Sequence, residues 1–380
     1  MSKIEQLIKK FCPNGVERVP LETLLDYEQP GKYIVRSTEY DDTFPTPVLT
    51  AGQTFILGYT DEEDGIYEAS KNAPVIIFDD FTTANKWVDF RFKVKSSAMK
   101  ILTLKEDSDA NIRFVFYAMQ VITYIPGEHS RQWIEKFSKF AIPLPPRPVQ
   151  DEIVKALDAM DAVVKALEEE RKARFEQFEA MRDKLLKFAN GGGGYCKITI
   201  GDIGRVAMCK RILKQQTSKS GEVPFFKIGT FGRHPDAYIS KELFDEYRTK
   251  YSYPVKGAIL LSAAGTIGRS VVFDGEESYY QDSNIVWLEH DESMVLNRYL
   301  YFWYQLNPWK VSKGGTIERL YNDNILQTEI VLPPLSEQKK IVAKLDAFSA
   351  VVTALDEEIA ARREQFAGWL EKLMEFREAA

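Results

Sequence analysis

One segment of this chain occurs twice at a fixed distance, with no gap between the copies. Residues 142–170 read IPLPPRPVQDEIVKALDAMDAVVKALEEE, and 188 residues later, from Ile330, the chain reads IVLPPLSEQKKIVAKLDAFSAVVTALDEE. Leu144-Pro145-Pro146 matches Leu332-Pro333-Pro334, Ile153-Val154 matches Ile341-Val342, and Leu157-Asp158 matches Leu345-Asp346. The match continues with Glu176-Gln177-Phe178 on Glu364-Gln365-Phe366 and ends with Phe188 on Phe376. A repeat of this length fixes the ground plan before any local reading begins.

Each copy reads as one long helix. The residue before a proline is pushed out of the α region, so the Pro pair closes an extended stretch. Gln150 or Asp151 then opens the helix, and Ser336 with Glu337 and Gln338 opens the second. The inward positions of copy one are Ile153, Leu157, Met160, Val164, Leu167, Arg171, Arg174, Phe178, Met181, Leu185 and Phe188. Those of copy two are Ile341, Leu345, Phe348, Val352, Leu355, Ile359, Arg362, Phe366, Trp369, Leu373 and Phe376. Steps of four and three alternate throughout, which is the seam of a coiled coil. Two such helices in one chain are each other's natural partner, packed antiparallel. Arg171, Arg174 and Arg362 then fall near the middle of the pair. They either reach out of the seam to water, or fix its register, or mark where a partner docks.

The repeat divides the chain into a globular module at 1–149, a helix at 150–190, a second module at 195–334 and a second helix at 335–380. Gly191–Gly194 supply a left-handed stop and a link. Each module opens with a similar phrase, at Val19–Leu25 and Ile198–Gly204. Apolar strands follow, such as Ala73–Phe78 and Gly257–Ser262. A helix comes next, at 111–119 and 297–305, and then a polar loop, at Gly127–Gln132 and Lys313–Glu318. The expected fold is α/β (α+β) modules in two copies, joined by two long helices as a pseudo-two-fold antiparallel coiled coil.

The net charge of −6 argues mildly against a polyanionic ligand. Segment counts soften that: residues 150–189 and 335–380 each carry −2, whereas 190–334 carries +1. Three scattered cysteines, Cys12, Cys196 and Cys209, suit neither a disulfide framework nor a C-x-x-C metal site. No apolar run is long enough to cross a membrane, and MSKIEQLIKKF is not a signal peptide. The expected compartment is the cytoplasm.

Specific resemblance enters at Gly315–Asp346, GTIERLYNDNILQTEIVLPPLSEQKKIVAKLD, and at Gly257–Arg269, GAILLSAAGTIGR. Both resemble hallmark segments of type I restriction–modification specificity subunits, and FCPNGVERVPLETLL at 11–25 resembles their usual start. The first module is the more divergent. It has FDDFTTANKW (78–87) where the second has LSAAGTIGRS (261–270), and HSRQW (129–133) where the second has GTIERL, which suggests a different subtype reading a different half-site. The resemblance implies a chain with no active site, reading a split sequence in double-stranded DNA. It also implies two modification subunits docked on the helices, methylating adenine with S-adenosylmethionine, and restriction subunits adding ATP- and Mg-dependent translocation and cleavage. No cofactor is expected on this chain itself.

The absences agree. Both Pro-Pro pairs are preceded by Leu, not by the Asn or Asp of an adenine methyltransferase motif. No G-x-x-x-x-G-K-[ST] is present. His129, His234 and His290 are too far apart in sequence to suggest a metal motif. DNA contacts would come from loops rich in guanine-, adenine- and phosphate-pairing side chains. In the first module the candidates are Lys32, Tyr33 and Arg36, then Thr82, Thr83, Asn85 and Lys86, then His129, Ser130, Arg131 and Gln132. In the second they are Lys210, Arg211 and Lys214; Lys227, Arg233 and His234; Thr266 and Arg269; Gln281, Ser283 and Asn284; and Lys313 to Thr316. The aromatics at 299–309 either stack on bases or, as their helical spacing favours, pack in a core. A different class also fits the repeat: a non-catalytic coiled-coil scaffold with two protein-binding heads.

Overall fold

The structure, a computed structural model, describes residues 2–50, 54–127, 130–187, 195–310 and 319–379. The chain forms two compact units, Met1–Glu168 with Glu357–Ala380, and Glu169–Asp356. The Gly191–Gly194 link lies outside the described residues.

The first module begins with helix α1 (Lys3–Phe11), strand β1 (Arg18–Pro20), the single turn α2 (Leu21–Leu24) and β2 (Leu25–Glu28). Strands β3 (Thr46–Leu49), β4 (Ile56–Thr60), β5 (Val75–Asp79) and β6 (Asn85–Val88) follow, then β7 (Lys93–Val94) and β8 (Met99–Leu104). Helix α3 (Ile112–Gln120) and β9 (Ala141–Pro143) lead into the long helix α4 (Arg147–Leu186). The second module opens with β10 (Cys196–Thr199), the turn α5 (Ile200–Ile203), β11 (Arg205–Ala207), β12 (Val223–Phe226) and β13 (Tyr238–Ile239). Helix α6 (Lys241–Lys250) precedes β14 (Ile259–Ser262), β15 (Ser270–Val272), β16 (Tyr279–Tyr280) and β17 (Ile285–Glu289). Helix α7 (Asn297–Tyr304), the short α8 (Asn322–Leu326) and β18 (Glu329–Leu332) lead into α9 (Leu335–Met374).

The two modules share one topology despite their divergent sequences. Each has a four-stranded antiparallel sheet, in the order β2-β8-β5-β6 and β11-β17-β14-β15. Each has a three-stranded sheet, β4-β3-β7 and β13-β12-β16, with one antiparallel and one parallel pairing. Each closes with a two-stranded ribbon, β1-β9 and β10-β18. The divergence noted in the sequence is therefore one of loops and of α6, for which the first module has no counterpart among its described residues.

The central strands are apolar at every position because both faces are covered. Side chains alternate between faces along a strand. Ile76 and Phe78 of β5 join the core under α3, while Val75 and Ile77 face the three-stranded sheet. In β14, Ile259 and Leu261 lie under α7 and Leu260 on the other side. The aromatics of α7 and of the segment after it belong to this core: Tyr299 and Phe302 are fully buried, and Trp303, Tyr304 and Trp309 nearly so.

Both long helices are 40 residues. The first starts at Arg147, earlier than expected, because Pro148 falls in its first turn, where no amide partner is required. The second starts at Leu335. Within each unit the start of one helix lies against the end of the other, as an antiparallel pair requires. Ile153 and Leu157 share a core with Leu370 and Met374, and Phe178 and Leu186 share one with Ile341 and Leu345. Val164 and Val352 are buried, Leu167 and Leu355 half-buried, and Leu185, Phe366 and Leu373 pack at the margins of these cores. The strict heptad reading fails near the helix ends. Trp369 is 39% exposed, while Leu370, Met374 and Leu186 are buried. A straight helix drifts about 20° per heptad from a 3.5-residue repeat. Leu370 is in phase with Ile341 after about 8 turns, and Trp369 has slipped out of the seam.

The mid-seam arginines divide. Arg171 crosses to Asp356 of the opposite helix with two hydrogen bonds, at 2.9 and 3.3 Å. Arg174 and Arg362 instead bind Glu170 and Glu358 on their own helices. Arg363 reaches across to Glu168 within the first unit.

A repeated clamp fixes each module to its long helix. Buried Gln150 accepts from the Asn111 amide at 2.8 Å and donates to the Pro145 carbonyl at 2.7 Å. Its repeat mate Gln338 accepts from the Leu296 amide and donates to the Met294 and Pro333 carbonyls, all at 2.9 Å. Arg113 pairs with Asp158 at 2.7 Å and lies over Phe116 and Tyr117. Arg298 pairs with Asp346 at 2.6 Å and lies over Tyr301 and Phe302. Gln338→Ala leaves the part-buried Leu296 amide and Met294 carbonyl and the buried Pro333 carbonyl without their partner, at about 1–3 kcal/mol for a fully buried orphan and less where water reaches the group. The expected loss is about 2–4 kcal/mol in urea unfolding of the second unit; a change below about 0.5 kcal/mol contradicts the clamp.

Candidate nucleic-acid interface

In the second module the candidate loops converge on one rim. The β14–β15 hairpin presents Thr266, exposed, while the Arg269 guanidinium turns back to the Phe231 carbonyl at 3.0 Å. That bond ties the hairpin to the β12–β13 loop, which carries Lys227, Arg233 and His234. Arg233 and His234 are exposed, and Lys227 pairs with Asp236 at 2.8 Å. Gln281 receives the Ile228 amide at 2.9 Å, which brings in the β16–β17 loop. Ser283 sits there at φ 54°, and the Asn284 carbonyl accepts from the Ala263 amide at 2.8 Å. The loop after β11 joins through Arg211, paired with Asp282 at 2.9 Å. Beside it, exposed Lys210 lies over the Tyr251 ring, and Lys214 is exposed. Lys313 and Thr316 lie outside the described residues.

The structure adds residues to this rim that sequence reasoning did not single out. Arg319 donates to the Ser283 carbonyl at 2.8 Å and lies over Tyr321, which is 56% exposed. With Met208, Asn322 and Asp323 they line an open cleft of about 360 Å³. The signal was available in the run RLYNDN, which begins at Arg319 inside the resemblance segment.

The first module repeats the arrangement bond for bond at its centre. Just past β14, Ala263 donates to Asn284 and accepts from the Leu320 amide at 2.9 Å. Just past β5, Asp80 donates to the Ala98 carbonyl at 3.0 Å and accepts from the Gln132 amide at 2.8 Å. The β5–β6 turn, the 95–98 loop and the 130–133 segment are thus counterparts of the three loops gathered in the second module. Lys95, Ser96 and Ser97 were missed by sequence reasoning because only the shared topology aligns them with 281–284.

Not every candidate here faces outward. Thr83 is buried at φ 63°, with its hydroxyl donating to the Thr82 carbonyl. Gln132 has no exposure and binds Tyr124 and Ser130. Burial corrects the reading of these two as contact residues: they hold the loops. Thr82 is exposed but donates to Asp79 at 2.6 Å, and Asn85 accepts from Gln120. Arg131 and Lys86 are exposed, Ser130 is half-exposed, and His129 lies outside the described residues.

Lys32, Tyr33 and Arg36 form a separate group. Glu28 holds Lys32 by a hydrogen bond and ion pair at 2.7 Å, and the Lys32 pKa is pushed up to about 12. Burial raises the Tyr33 hydroxyl, which also donates to Glu28. Arg36 is exposed beside Glu62, which accepts its backbone amide at 2.8 Å. Lys32 therefore keeps its positive charge, held in an exposed pair with Glu28.

The profile of the type I restriction modification DNA specificity domain matches residues 13–177 and again 193–364. The chain is similar to the type I restriction enzyme EcoR124I/EcoR124II specificity subunit of Escherichia coli, 34% identical over 99% of this chain and 98% of that one. It is also similar to a type I restriction enzyme specificity subunit of Haemophilus influenzae, S.HindORF215P. That match is 48% identical over 65% of this chain and 66% of the relative, just under two thirds of its length. Among solved structures, the type I restriction–modification S subunit from M. genitalium superposes with a TM-score of 0.58 at 13% identity, covering 94% of this chain and 95% of that one. A chain from a study of type I R-M complex assembly and conformational transition gives 0.51 at 17% identity, covering 95% and 98%. With the profile matched twice over most of its length, this chain belongs to the type I restriction–modification DNA specificity family.

Proposed function

We propose that this chain selects the DNA site for a type I restriction–modification complex, each module reading one half of a bipartite duplex sequence. One observation carries the reading: a single topology occurs twice, and each time three loops are bound together past the same central strand. Loops of this kind, rich in Arg, Lys, Ser, Thr and Asn, supply both phosphate and base-edge contacts. Two related readers in one chain suit two half-sites separated by unread bases. The relatives' names as restriction enzyme specificity subunits support the same role.

The chain itself is non-catalytic in this reading. Two modification subunits dock on α4 and α9 and carry S-adenosylmethionine. Restriction subunits carry ATP and Mg²⁺, and the complex works in the cytoplasm. No described helix is long and apolar enough to cross a membrane, and no described cluster of His, Cys, Asp or Glu could hold a metal ion.

The direct experiment selects bound duplexes from a randomised pool, using the full chain with its modification subunits. A split motif is expected. Replacing residues 195–334 by another recognition module should change one half of that motif and leave the other intact; if both halves change, the modules are not independent readers. Inserting one heptad in both long helices should change the number of unread bases and neither half-site. An unchanged spacer contradicts the ruler role of the helices. Lys210→Ala with Lys214→Ala should weaken binding to all duplexes similarly and reduce the log–log salt slope by about 2. A slope equal to that of the unaltered protein removes both lysines from the phosphate contacts.

A further inference from the structure

The first module buries an ion pair at the place where its reading loops meet. Lys100 of β8 and Asp80 after β5 stand 3.0 Å apart, and neither side chain has any exposure. Asp80 Oδ1 accepts the Gln132 and Trp133 amides at 3.1 and 2.9 Å. Its Oδ2 faces Lys100 as an ion pair, and among the described residues neither Oδ2 nor the Lys100 ammonium has a hydrogen-bond partner. The ammonium also lies over the Tyr27 ring, 5.5 Å from its centroid. Each charge therefore depends on the other, since an unpaired buried charge is strongly unfavourable.

The second module does the same job without charges. Ala263 stands where Asp80 does, with the same two backbone bonds. Phe78 pairs with Lys100 across β5 and β8 as Leu261 pairs with Val286 across β14 and β17, so Val286 stands where Lys100 does. Loop assembly alone does not require the pair. Both modules carry an arginine just before the amide that binds this position, Arg131 before Gln132 and Arg319 before Leu320, but only in the first does a carboxylate stand beside it, with the half-exposed Arg131 guanidinium 3.9 Å from Asp80 Oδ2. That is too far for a hydrogen bond, and Arg131 has no other ion pair among the described residues.

We infer that Lys100 is a positioning residue for DNA reading: by neutralising Asp80 from inside, it leaves the Arg131 guanidinium free for the first half-site. This deepens the proposed function and rests on the first module being a DNA reader. Removing the ammonium leaves a buried carboxylate whose nearest remaining cation is Arg131. The guanidinium then closes the remaining distance and is withdrawn from the rim. The loop stays assembled, because the backbone bonds and Oδ1 contacts do not involve Lys100.

The test measures discrimination at each half-site by the full chain in its complex. The probes are the duplex selected by the unaltered protein and versions altered in one half only. Lys100→Met should lower discrimination at the first half-site about ten-fold or more, the scale of one lost bidentate base contact, with the second half unchanged as an internal control. D80N/K100M should restore it, because the amide keeps an acceptor for Gln132 and Trp133 but carries no charge to recruit Arg131. Arg131→Gln should reproduce the loss with the pair intact, and it decides the matter should Lys100→Met not fold. Full discrimination by Lys100→Met, no recovery in D80N/K100M, or an unaffected Arg131→Gln overturns the inference while the bipartite reading stands. No split motif for the unaltered protein overturns both.

Discussion

One buried glutamine ties each module to the start of its long helix. Gln338 has no solvent exposure, yet its side-chain amide satisfies three backbone groups: the Leu296 amide ahead of α7 and the carbonyls of Met294 and Pro333. It thereby fixes the first turn of a long helix, the strand that enters it and the helix that roofs the reading module. Gln150 makes two of the three in the first unit, to the Asn111 amide and the Pro145 carbonyl. A loop rim reads DNA only if it is held at a fixed angle to the helices, and a directional polar contact holds an angle better than apolar packing. The Arg113–Asp158 and Arg298–Asp346 pairs, about two turns along the same helices, add a second point of attachment, so each module is fixed at two places.

Much of this was legible in the sequence, for physical reasons. The alternating steps of the seam and the gap-free repeat specified two long helices and their antiparallel pairing. The runs APVIIF and GAILLS specified strands covered on both faces. The drift that exposes Trp369 was not legible from a seven-residue pattern, because it accumulates only over the whole length of a real helix. The shared topology of the modules was hidden as well. Hydrogen bonds such as Asp80 to Ala98 and Ala263 to Asn284 use backbone atoms, which leave no mark on residue identity.

The site was less legible than the fold. Residue type does not separate an outward threonine from one that caps its own turn, and Thr83 and Gln132 proved to be internal struts. Arg319 was overlooked although it lies in the segment carrying the family resemblance. Its importance comes from the Ser283 carbonyl, 36 residues earlier in the chain. The basic residues are also less available than their number suggests. Arg211, Lys227 and Arg269 on the second module's rim are each engaged by a carboxylate or a carbonyl, as is Lys32 in the first module.

The composition of the units has a consequence for synthesis on the ribosome. The second unit is one continuous stretch, Glu169–Asp356, and all of its core is available once that stretch has emerged. The first unit needs Glu357–Ala380 as well, because Leu370 and Met374 cover Ile153 and Leu157. At about 5–20 residues per second, the 188 residues between its two parts take roughly 10–40 s to make. For that interval the nascent first unit carries an uncovered apolar stripe on α4. The unit whose synthesis begins first is thus the last to be completed.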